Sequence, residues 1–135
     1  MDDEIIELLK LHEGYREKPY LDTMDKLTIG IGHNLTDNGL SETLIHLLVR
    51  EDIEIARDDL DEIYPDWVGL SRSRQLVLID MAFNLGKPRY LTFKRFWKAL
   101  KAGDYDLAAK EMLDSKWSKQ VGDRADRLYN MMVEG

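Results

Sequence analysis

The chain has 135 residues, 44% apolar and 33% charged, with a net charge of −7, the size and balance of a single soluble globular domain with a buried core. It has no cysteine and three histidines, which excludes a disulfide framework and leaves a zinc centre poorly supplied, so no metal or cofactor is expected. The net acidity argues against general nucleic-acid binding, and no apolar run approaches the roughly 18 residues of a bilayer span.

In chain order, Ile5, Leu8, Leu9 and His12 recur at helical spacing. They predict a first helix over residues 3–13, capped by Asp2 or Asp3 and closed by Gly14. "YREKPYLDTMDKLTIGIGH" then carries Pro19, a polar centre at Asp22 to Lys26 and an Ile29/Ile31 alternation, which predict two or three short antiparallel strands. From Ser41 the period changes: Leu44, Leu48, Ile55, Leu60 and Ile63 predict a long helix capped by Ser41 and stopped before Pro65. "SRSRQLVLIDMAFNLG" is apolar on nearly every side of a helical wheel and predicts a buried central helix ending at Gly86. Beyond the "GKP" break, Thr92 is expected to cap a helix to Lys101, Gly103 to end it, and Asp104 to cap another to about Leu113. Ser115 opens a short helix around Trp117, and Asp123 caps the last.

The expected fold is α+β: a small antiparallel hairpin lobe at about 14–40, a linking helix at about 41–63, and a larger helical lobe from residues 1–13 and 64–135. Charge is segregated within it. Glu51 to Asp66 holds eight carboxylates and one arginine, whereas Gly86 to Lys101 holds six cations and no acid. Two solvated faces would explain this. Alternatively the basic stretch, with Phe93, Phe96 and Trp97 interleaved, faces a polyanionic wall or membrane surface.

Three residues of the N-terminal third invite chemistry. Glu13 ends the first helix, where the partial negative charge of the last carbonyls favours the protonated acid over the carboxylate. Asp22 lies by a polar turn, where water and backbone donors favour ionisation. Two carboxyls in opposed environments are the usual basis of an acid and base assignment. If the hairpin turns about Met24 to Lys26, Asp22 and Thr28 are cross-strand neighbours able to hold a water. Gly30 and Gly32 extend that face as a bare floor for a polymer, while Leu27, Ile29 and Ile31 pack on the core.

"HEGYREKPYLDTMDKLTIGIGH", His12 to His33, resembles the catalytic stretch of the phage-type lysozymes, glycoside hydrolase family 24. Glu13, Gly14, Asp22, Thr28, Gly30, Gly32 and His33 fall on its pattern without insertion. "MAFNLG" resembles the family's central-helix end, and "SKWSKQVGDRADRL" its closing segment. The chain lacks the extra helical insertion of larger members, so a smaller or more open hairpin lobe is expected.

The resemblance implies a lysozyme-like fold and hydrolysis of the β-1,4 bond between N-acetylmuramic acid and N-acetylglucosamine in peptidoglycan. By analogy Glu13 is the general acid, and Asp22 with Thr28 positions the attacking water. Gly30, Gly32, Phe83 and Asn84 become substrate contacts, Phe83 being equally well explained as a core aromatic; Phe96, interleaved with the cations of the basic stretch, is a further candidate contact. His33 becomes a structural residue with Asp52 as its candidate ion-pair partner, and Arg124 an orienter of Glu13. For Arg127 an exposed salt bridge is the expectation. Within enzymes the rival is a lytic transglycosylase using Glu13 alone; outside them it is a non-catalytic wall-binding module. The acidic N-terminus does not read as a signal peptide. A monomer in the host cytoplasm, released through a holin to act on the wall in the periplasm, is the expectation.

Overall fold

A computed structural model describes residues 1–135. Nine helices and one three-stranded antiparallel sheet make the α+β class expected. The chain divides into two units, Met1–Leu48 and Val49–Gly135, with one long helix running through the division.

The first unit opens with α1 (Asp2–Glu13), preceded by Met1 rather than by an aspartate side-chain cap. Gly14, at φ 82, ends it by donating its N–H to the Lys10 carbonyl at 2.9 Å. Strands β1 (Arg16–Leu21), β2 (Leu27–Gly30) and β3 (His33–Asn34) follow in sequential order. The pairs Tyr20/Thr28 and Leu21/Leu27 set the first register, and Thr28/Asn34 and Ile29/His33 the second. A short α2 (Leu35–Asn38) comes next, its first turn capped by the Asn34 side chain, which accepts from the Asp37 N–H. It is an element beyond those the sequence pattern predicts. Ser41 then accepts from the Leu44 N–H and opens α3 (Glu42–Ile63), as its hydroxyl at that position predicts.

The second unit takes over from the last turns of α3. A 3-10 turn (Pro65–Gly69) leads to α4 (Arg72–Leu85), which Ser71 caps and Gly86 closes. Then come α5 (Lys87–Leu91), α6 (Lys94–Lys101), α7 (Tyr105–Leu113), α8 (Lys116–Val121) and α9 (Asp123–Glu134). Asp104 and Ser115 cap α7 and α8 as expected. Thr92 does not cap α6, because its hydroxyl donates back to the Arg89 carbonyl at 2.6 Å. Asp123 is the first residue of α9 rather than its cap, which falls at Gly122.

Val77, Leu78, Met81 and Ala82 of α4 are buried, so one face of this helix carries the core, while Leu76 and Phe83 on its flank are exposed. Against that face lies an aromatic cluster. Tyr90 and Trp97 have centroids 4.7 Å apart, and the Trp97 indole N–H donates to the Tyr90 carbonyl at 2.9 Å. Burying each such ring contributes about 2–3 kcal/mol. Burial first, and the Asp80 charge second, push the Tyr90 hydroxyl well above the ordinary tyrosine range. No helix is long and apolar enough to cross a membrane.

Candidate active site

The site is built where α1 gives way to the sheet. Because Gly14 stops the helix, Glu13 stands exposed at its carbonyl end. Its side chain lies directly on Gly32: a Cβ at that position would stand 2.9 Å from both Cγ and Oε2 of Glu13. Only a residue without a side chain leaves that space open. Gly30, the last residue of β2 and paired with Arg16, and Gly32, in the β2–β3 turn, both hold φ 69, a left-handed conformation natural to glycine. Neither has the extended backbone expected of a flat floor: Gly30 ends the strand, Gly32 sits in the turn, and only Gly32 touches the acid.

Asp22 closes the β1–β2 hairpin. Its N–H donates to the Lys26 carbonyl at 2.9 Å, and its own carbonyl accepts from the Asp25 N–H at 3.1 Å. Its Oδ1 accepts from the N–H groups of both Met24 and Lys26, at 2.8 and 2.9 Å. The aspartate is therefore a turn former through one oxygen, and Oδ2 is left outside these bonds. Asp25 completes the turn at φ 57.

This loop places Thr28 opposite Tyr20 instead of Asp22, so the expected direct pairing is replaced by a diagonal one on the same face. The burial pattern also differs. Thr28 is 3% exposed and is the buried polar residue of the sheet, while Leu27 is 42% exposed, so the alternation does not turn Leu27 to a core. The Thr28 hydroxyl donates to the Lys26 carbonyl at 2.8 Å. With its hydrogen committed there, Oγ1 offers only lone pairs to a ligand. Asp22 and Thr28 thus converge on the main chain of Lys26, which the sequence pattern marks only as a turn residue.

The remaining expected residues divide. His33 bonds through Nε2 to the Gly39 carbonyl at 2.6 Å, so it serves the backbone and not a carboxylate such as Asp52. The Arg124 guanidinium donates to the Asp80 carboxylate at 2.8 Å and to the Asp80 carbonyl at 3.3 Å. Arg127 is exposed. Phe83 is exposed and borders an apolar cavity of about 420 Å³ with Ile53, Ile79 and Met131. The Asn84 Oδ1 accepts from the indole N–H of Trp117, a buried ring, at 2.8 Å. Phe96 is 1% exposed and stacks on Tyr90. It is a core residue and no substrate contact, because its helix turns Phe96, Trp97 and Leu100 inward and Lys94, Arg95 and Lys98 outward.

Nine helices with one small three-stranded antiparallel sheet have the α+β form of a lysozyme-like fold, the form of a lysozyme-type peptidoglycan hydrolase. The phage lysozyme family matches residues 10–131, and the chain belongs to that family. It is similar to the probable T4-type lysozyme 1 of Dictyostelium discoideum, at 27% identity over 100% of this chain and 96% of that protein. It is 24% identical to the probable T4-type lysozyme 2 of the same organism, over 96% of this chain and 93% of that one. It is also 31% identical to the pre-baseplate central spike protein Gp5 of Enterobacteria phage T4, over 96% of this chain but only 27% of that protein.

Proposed function

We propose that the chain is a muramidase that hydrolyses the β-1,4 bond between N-acetylmuramic acid and N-acetylglucosamine, with Glu13 as general acid and Asp22 and Thr28 holding the water. The observation that carries this reading is the pair of bonds converging on Lys26. Oδ1 of Asp22 is occupied by two amides and the Thr28 hydrogen by a carbonyl. What remains on that face is two acceptors, Oδ2 and Oγ1. A water donating one hydrogen to each turns its lone pair outward, as a nucleophile must.

The Glu13 carboxyl gives its proton to the glycosidic oxygen, and the C–O bond breaks with its electron pair going to the leaving sugar. The water oxygen bonds to the anomeric carbon and loses its proton to Asp22. Such a division belongs to inverting enzymes, whose two carboxyls stand roughly 6.5–9.5 Å apart to admit the water.

The test is digestion of purified peptidoglycan with product analysis by NMR and mass spectrometry. New reducing ends whose first-formed anomer is inverted are expected. Anhydro products, or cleavage that persists in Asp22→Asn, would assign the lytic transglycosylase reaction instead, and net retention would remove the water-holding role.

A further inference from the structure

We propose that Thr36 is a positioning residue for the Asp22–Thr28 pair, acting through the Lys26–Leu27 peptide and assisted by the Lys26–Asp37 ion pair. The inference rests on the reading of Asp22 and Thr28 given above.

The peptide between Lys26 and Leu27 is held on both sides. Its carbonyl accepts from the Asp22 N–H at 2.9 Å and from the Thr28 hydroxyl at 2.8 Å. Its N–H donates to the Thr36 hydroxyl at 2.7 Å. Leu27 needs this partner because β3 is only two residues long. Its pairs with β2 are Thr28/Asn34 and Ile29/His33, and the chain then turns into α2. The Thr36 hydroxyl stands where the next strand residue would have accepted.

A second tie runs beside the first. Lys26 Nζ bonds the Asp37 carboxylate at 3.1 Å, and Asp37 also accepts from the Asn34 side-chain amide at 2.9 Å. The helix turn carrying Thr36 is therefore fastened to the same residue whose peptide it grips. Rotation of that peptide would swing the Lys26 carbonyl away from Thr28, free its hydroxyl hydrogen and change what Oγ1 presents to a water. Small displacements of this kind cost up to about 10²-fold in rate.

The experiment compares Thr36→Val, Thr36→Ser and Asp37→Asn with the wild type, on peptidoglycan and by amide hydrogen exchange. Thr36→Val is expected to lower kcat about tenfold with KM within about twofold. Exchange should quicken at Met24 and Lys26 as well as Leu27, and Thr36→Ser should restore both. Asp37→Asn should give the same pattern at about threefold, a reading that stands even if Thr36→Val fails to fold. Unchanged kcat in folded Thr36→Val, or in Asp37→Asn where Thr36→Val does not fold, overturns the inference. So does exchange that quickens only at Leu27. If the wild type cleaves nothing, the muramidase reading fails on its own account, and exchange at Met24 and Lys26 still decides whether Thr36 braces the turn.

Discussion

Glu13 lies on the Cα of Gly32, with Cγ and Oε2 each 2.9 Å from where a Cβ would be. Gly30 shares the same φ of 69 and has open space around it. The two glycines therefore form a matched pair. Gly30→Ala and Gly32→Ala should each lose about 1–2 kcal/mol of stability from the backbone alone. Only Gly32→Ala should also displace the acid, lowering turnover by about 10²-fold. Urea denaturation beside a cell-wall assay separates the two effects, and equal activity in both variants would remove the special role of Gly32.

Asp22→Asn retains an oxygen able to accept from Met24 and Lys26, so the hairpin should survive with its melting temperature nearly unchanged. It loses the base, and turnover should fall by about 10²–10⁴-fold. Thr28→Ser should keep most of the activity. Thr28→Val removes the bond to the Lys26 carbonyl and should lose both stability, by about 1 kcal/mol, and turnover.

Asn84 and Phe96 separate support from recognition. Asn84→Ala leaves the Trp117 N–H, on a ring only 1% exposed, without its acceptor, and about 1–3 kcal/mol of stability should go with it. Phe96→Ala empties a core position and should cost about 3–5 kcal/mol. Calorimetry on the folded fraction should show both losses, and Phe96→Leu should leave KM unmoved.

The bond from Lys26, and after it the bond from Asn34, holds the Asp37 carboxyl below the usual carboxylate range. A depressed carboxyl contributes stability above its unfolded value and loses it as pH falls through the folded one. Acid titration of wild type against Asp37→Asn should show this difference at neutral pH, shrinking below the ordinary carboxylate range. Added salt should reduce it, since the ion pair is exposed.

Helix boundaries were legible because they are local chemistry: hydroxyls or carboxylates at Ser41, Asp104 and Ser115, and glycines at 14, 86 and 103, mark ends that the structure keeps. The short α2 had a signal too, Asn34 followed three residues later by Asp37, and Pro88 in the first turn of α5 was another. The cationic neighbours of Phe96 mask the helical period, which separates the two kinds of residue cleanly. The register at Asp22 and the grip of Thr36 on Leu27 were not readable. The second depends on how early β3 gives way to α2, and the first on how one residue at positive φ, Asp25, ends the turn.

That residue separates two properties commonly bound together. A left-handed aspartate costs about 1 kcal/mol or less, since aspartate tolerates the conformation better than most. Asp25 contributes its backbone N–H to the Asp22 carbonyl, a bond that glycine would also make. Relieving the conformation there leaves Oδ2 of Asp22 and Oγ1 of Thr28 chemically unaltered. The hairpin can therefore gain thermal resistance at one position while its reactivity is set at others.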